Sequence, residues 1–134
     1  MPDPGYHDAH VHLAHPELLD ALDEVRGCYW QIGLRKAVLV GTSPRDWQAV
    51  RQLAESDKRF IPAIGLHPWQ VNDVAAGWQE QMRQQLDEGV TIIGEIGLDQ
   101  WMTGHDIAAQ LAAFRWQFTL AADRDLPTSI HCLK

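Results

Sequence analysis

Apolar residues along this chain come in short runs separated by longer stretches of helical spacing. The runs are Ala9–Leu13, Lys36–Val40, Phe60–Gly65, Val90–Ile96 and Thr128–Cys132. Ala37-Val38-Leu39-Val40 has no polar interruption, as expected of a strand covered on both faces. Pro62 has no N–H for a ladder, so we place it at the first position of the third strand. The first helical stretch opens at Pro16, a favoured first position, and puts Leu18, Leu22, Val25 and Tyr29 on one face. The second opens with Ser43-Pro44, a cap and then that same proline position, and carries Trp47, Val50 and Leu53 or Ala54. In the third, Val74, Trp78, Met82 and Leu86 step by four, and in the fourth Leu111, Phe114 and Phe118 form the stripe. We read these stripes, tryptophans included, as core-facing helix surfaces rather than cofactor contacts.

The predicted order is β-α-β-α-β-α-β-α-β, which implies a parallel sheet covered by helices. Five such strands suit a complete doubly wound sheet. They equally suit the first five strands of an eight-stranded (β/α)8 barrel, which takes about 250 residues. The polar residues at the strand ends bear on the choice.

Composition narrows the function. The 134 residues suit one domain, and 46% hydrophobic content supports a core. Eleven basic against 18 acidic residues give a net charge of −7, which argues against a broad basic nucleic-acid footprint. A nuclease stays open, because bound divalent cations reverse the local field. Cys28 and Cys132 form no CxxC pair and suit a reducing compartment. The N-terminal MPDPGYHDAH has neither a basic n-region nor an apolar h-region, and every apolar run is too short for a bilayer. We therefore expect a cytoplasmic protein with no membrane partner.

Four clusters carry candidate chemistry. In "HDAHVHLA", residues 7–14, strand alternation puts Asp8, His10 and His12 on one face. Two histidines at i and i+2 of a strand can grip one ion, although polar residues in hydrogen bonds explain that stretch equally well by itself. "GEIGLD", residues 94–99, leaves Glu95 where an apolar strand runs out, and a buried carboxylate needs a partner or a metal. Gly94 and Gly97 permit close backbone approach there. "IGLHPW" puts His67 at the end of strand three, and "PTSIHCLK" puts His131 at the end of strand five. Each of these alone suits a structural role, a turn or a salt bridge. Together they collect at the C-terminal ends of parallel strands, where α/β active sites lie. His and carboxylate ligands suit Zn²⁺, Mn²⁺ or related ions, and a carboxylate between two histidine sets can bridge two of them.

These motifs resemble the TatD family of metal-dependent hydrolases within the amidohydrolase superfamily. "DAHVHL" resembles its opening DxHxHL, "IGLHPW" its GxHP segment, and "GEIGLD" its most specific motif. Gln110, Phe114 and Gln117, followed by "LPTSIH", resemble its QxxxFxxQ…LPxxIH stretch. The resemblance covers the whole chain in order. It implies a TIM-type (β/α)8 barrel and a metal-dependent phosphodiesterase, described for the family as a DNase. It implies that His10 and His12 bind one metal, that Glu95 bridges to a second as the catalytic carboxylate, and that His131 binds that second ion. It places His67 near the substrate phosphate, with Asp8 supporting the first histidine pair. The cofactors implied are divalent ions (Mg, Mn or Zn), two in a complete site, and the partner is DNA or another phosphodiester.

The chain departs from the family at Gln100 and Trp101, where tyrosines are usual, and at Cys132, Leu133 and Lys134, where an arginine often occurs. The resemblance further implies three more strands beyond Lys134, with another histidine and a final aspartate. We therefore read residues 1–134 as one TatD-like metallohydrolase domain cut after strand five, with self-association through open barrel edges as an expectation. Two other functions compete with the nuclease. One is a non-catalytic metal-binding fragment. The other is an amidohydrolase acting on a cyclic amide or lactone, against which Glu95 argues, since many of those enzymes use a carbamylated lysine there.

Overall fold

Every predicted apolar run forms a strand, and every helical stretch but the first forms one helix. The computed structural model describes residues 5–133, so residues 1–4 of the N-terminal stretch and Lys134 lie outside it. In order the elements are β1 (Tyr6–Val11), α1 (Pro16–Leu19), α2 (Leu22–Gln31), β2 (Leu34–Val40), α3 (Pro44–Ser56) and β3 (Phe60–Ile64). A 3₁₀ turn (Pro68–Gln70), α4 (Trp78–Asp87), β4 (Ile92–Asp99), α5 (Ile107–Asp123) and β5 (Thr128–Leu133) follow.

All ladders are parallel, and the five strands lie side by side in chain order, β1-β2-β3-β4-β5. A doubly wound sheet must reverse its order at a switch point. This one never does, so the architecture is the first part of a (β/α)8 barrel. Among the described residues no helix is long and apolar enough to cross a membrane.

The core divides in two. Leu13, Leu34, Ala37, Leu39, Val50, Leu53 and Phe60 pack β1–β3 against α2 and α3. A larger cluster, with Ile64, Leu66, Trp78, Met82, Leu86, Ile93 and Ile96, packs β3 and β4 against α4 and α5. Trp47, Val50 and Leu53 of α3 and Trp78, Met82 and Leu86 of α4 are buried, as their spacing predicts. Val74 precedes α4 and packs on the same cluster from the loop.

Three expectations are corrected. The stretch from Pro16 is two helices, broken at Asp20–Ala21, and neither contains a fully buried residue. Pro62 sits inside β3, opposite Leu39 of β2. The β3–β4 ladder starts only at Ala63, so that side asks nothing of the missing N–H. On α5 the buried residues are Gln110, Ala113, Gln117 and Ala121, whereas Phe118 is 47% exposed. The glutamines are inside because each clamps a strand end. Gln117 accepts from the Leu66 amide at 2.7 Å and donates to the Leu66 carbonyl at 3.2 Å. Gln110 does the same to Asp99, at 2.8 and 2.9 Å.

The loops at the C-terminal ends of the strands are tied to one another. Asp46, in the first turn of α3, accepts from the Thr42 amide and hydroxyl and from the Ser43 amide. The Thr42 carbonyl accepts from the His67 amide at 2.8 Å. The rim therefore has a fixed backbone before any ligand arrives.

Candidate metal centre

The site begins with an irregularity in β1. Asp8 pairs with Ala37 and Val11 with Leu39, so three steps of β1 face two of β2. Such a bulge breaks the alternation of side chains. Asp8 consequently does not share a face with His10 and His12. Its carboxylate accepts from the Tyr29 hydroxyl of α2 at 3.2 Å and from the His10 amide at 3.1 Å. Among the described residues, its hydrogen bond to the histidine pair is to the His10 backbone amide.

His10 and His12 meet at the C-terminal end of β1, their Nε2 atoms 3.1 Å apart. Glu95 Oε2, from β4, lies 3.3 Å from His10 Nε2 and 3.1 Å from His12 Nε2. The other oxygen, Oε1, lies 2.8 Å from His131 Nδ1 and 3.6 Å from His67 Nε2. Four histidines singled out from the sequence thus converge on the carboxylate of the fifth such residue, Glu95. All five line a cleft of about 780 Å³.

The outer hydrogen bonds fix which ring nitrogens face inward. The Val40 carbonyl lies 3.0 Å from His12 Nδ1, so that nitrogen carries the proton and Nε2 presents its lone pair. Ser129 Oγ, across the interior on β5, takes the same position for His10 Nδ1 at 2.8 Å. Asp99 Oδ2 accepts from His131 Nε2 at 2.9 Å, which leaves Nδ1 of the neutral ring toward Glu95. Inward lone pairs backed by outward hydrogen bonds are the arrangement of metal-binding histidines. The ligand atoms of His10, His12 and Glu95, and of His67, Glu95 and His131, each lie within 4.8 Å of one another. The donor set fits a divalent cation at the first group and, around Glu95 and His131, a second.

His67 differs. The Trp69 amide donates to its Nδ1 at 3.1 Å, so the proton of the neutral ring is on Nε2. His67 therefore points a donor, not a lone pair, into the cleft, which suits an anionic oxygen better than a cation.

Electrostatics agree. Burial opposes charge on Glu95, but a hydrogen bond from His12, whose Nε2 donates when the ring is protonated, another from His67 and the nearby imidazoles outweigh it and hold the carboxyl well below its usual range. The hydrogen bond to Glu95 in turn raises His12, against the opposing effect of burial.

The family model of TatD related DNase matches residues 7–134. The chain belongs to that family. It is 28% identical over 126 residues to a "3'-5' ssDNA/RNA exonuclease TatD" of Escherichia coli, covering 93% of this chain and 48% of that protein. It is 30% identical over 133 residues to an "Uncharacterized metal-dependent hydrolase TatD" of Mycobacterium tuberculosis, covering 92% and 50%. The crystal structure of YjjV, a TatD homolog from Escherichia coli, superposes with a TM-score of 0.87 at 28% identity, covering 96% of this chain and 51% of that one. The chain spans about half the length of the curated relatives it matches.

Within the TatD motif "GEIGLD", sequence reasoning used Glu95 and missed Asp99. Alternation along β4 puts residues 95, 97 and 99 on one face, and Gly97 pairs with His131 of β5. A Cβ at Gly97 would overlap the His131 carbonyl, so glycine lets β5 come close enough for one ring to bridge both carboxylates. Asp99 is fully buried and also accepts from Trp69 Nε1 and the Trp101 and Met102 amides. Burial works against its charge, yet the hydrogen bonds from Trp69 and His131 prevail and bring its pKa to about 2. Asp99→Asn puts an amide donor among these donors. The expected result is Mn²⁺ binding about 10–100-fold weaker by calorimetry, with helical content kept. Unchanged affinity would remove Asp99 from this orienting role.

Proposed function

We propose that this chain carries the ligand-bearing part of a phosphodiesterase site and that its substrate is a nucleic acid, DNA in the first instance. The observation that carries the reading is the division of Glu95, with one oxygen to His10 and His12 and the other to His131 and His67. A carboxylate so placed can bridge two cations. His10, His12, Glu95 and His131 are the proposed metal ligands, Glu95 is the proposed catalytic carboxylate, and His67 Nε2 is the proposed donor to a phosphate oxygen. A divalent cation held there would lower the pKa of a water and offset charge developing on the phosphodiester.

The protein's own groups supply the rest. Val40, Ser129 and Asp99 hold the imidazoles in register. Gln117 holds the Leu66 backbone, immediately before His67. The relatives named as single-stranded DNA/RNA exonucleases, and a family described as TatD related DNases, support the choice of substrate. The net charge of −7 agrees with a site whose attraction for phosphate comes from bound cations. The domain reading extends likewise: residues 1–134 are proposed as the first part of one such hydrolase domain. Cys28 and Cys132 are both free, in keeping with the expected cytoplasmic setting.

The test is cleavage of an end-labelled single-stranded DNA. Activity is expected with Mn²⁺ or Mg²⁺, lost on chelation and restored by adding the cation back. A folded protein that binds the cation but never cleaves would favour the non-catalytic metal-binding reading.

A further inference from the structure

One large surface in the cleft has no part in the proposed hydrolysis. Trp69, in the 3₁₀ turn after His67, is 52% exposed and lines the same cleft as the His/Glu cluster. Its ring centroid lies 5.1 Å from that of His67 and 6.3 Å from that of His131. The indole is not left loose. Nε1 donates to Asp99 Oδ2 at 2.6 Å, and Asp99 is fully buried with its own backbone gripped by Gln110. The Trp69 amide is committed to His67 Nδ1. The ring's orientation is therefore set before a ligand binds, and its one polar atom is already satisfied. What the ring can still offer the cleft is an apolar π-face, beside the histidines proposed to handle phosphate.

We propose that Trp69 is the stacking platform for the nucleobase adjoining the phosphodiester that Glu95 and His67 address. This rests on the phosphodiesterase reading and deepens it: the substrate is a base-bearing single strand, not a bare phosphodiester. Stacking accepts any base, because every base has a π-face, so the site should show little sequence preference. A base paired within a duplex is already stacked and must be extruded first, so duplex should bind more weakly than single strand.

The test separates base from backbone. Fluorescence anisotropy would compare labelled single-stranded oligothymidylate with an abasic deoxyribose-phosphate oligomer of equal length, in the presence of Ca²⁺. Trp69→Ala is expected to weaken oligothymidylate binding about 5- to 100-fold more than it weakens abasic binding, any loss shared by the two oligomers reporting the broken bond to Asp99. Trp69→Phe, which keeps a ring but loses the Asp99 bond, should retain most of the affinity. Unchanged oligothymidylate binding in Trp69→Ala, an equal loss for both oligomers, or no binding of oligothymidylate by the unmutated protein would each overturn the proposal. Because the readout is binding, it stays interpretable if neither oligomer is cleaved with Mn²⁺, an outcome that would sink the hydrolase reading instead.

Discussion

Replacing Glu95 with alanine is expected to abolish cation-dependent DNA cleavage and to weaken Mn²⁺ binding by more than about 100-fold. Loss of an outer hydrogen-bond partner alone costs about 10–100-fold in metal affinity. Glu95 faces both histidine sets directly, so its removal must cost more. Calorimetric titration with Mn²⁺ checks the affinity, and Glu95→Gln, with similar shape and no charge, separates lost charge from lost packing. A second signal should accompany the loss. His12 owes its raised pKa first to the hydrogen bond with Glu95, so its titration by NMR should fall back toward the ordinary histidine value. Full Mn²⁺ affinity in the alanine variant would place the cation elsewhere.

Gln117→Ala is the substitution expected to cost most in stability, roughly 2–5 kcal/mol by urea denaturation. The side chain satisfies both the amide and the carbonyl of buried Leu66. Removing it strands two buried backbone groups, each worth about 1–3 kcal/mol. Phe118→Ala, one position along α5, provides the contrast. Phe118 is 47% exposed and stacks only on Phe114 among the described ring contacts, so the expected loss is about 0.5–1.5 kcal/mol. Equal losses at the two positions would contradict this packing of α5.

That contrast also marks where the sequence could be followed and where it could not. The strands, the start of α3 at Pro44 and the buried faces of α3 and α4 follow from periodicity and capping. His10, His12, His67, Glu95 and His131 were legible because each is a polar residue in or just after an apolar run, although Glu95 and His131 lie inside β4 and β5, which continue past them to Asp99 and Leu133. The core face of α5 was not, because a glutamine inside is invisible until the backbone it clamps is known. The β1 bulge depends on the register of β2, and no residue of β1 announces it. Asp99 is a different case: alternation from Glu95 leads to it. The choice between a barrel and a doubly wound sheet rested on lateral strand order, which local pattern does not encode.

Consecutive strand pairing has a kinetic consequence. Each ladder joins neighbours along the chain, with partners some 23 to 35 residues apart, so the sheet can grow one strand at a time but must close a loop at every step, the condition for slow folding. The link from His10 to Ser129 is different, because it spans 119 residues. Cations held on the two sides of Glu95, one by His10 and His12 and the other by His131, would act as a clip on that long loop, stabilising the assembled chain in proportion to how tightly they bind. The candidate metal centre would then be the last part of the fold to close and the first to open.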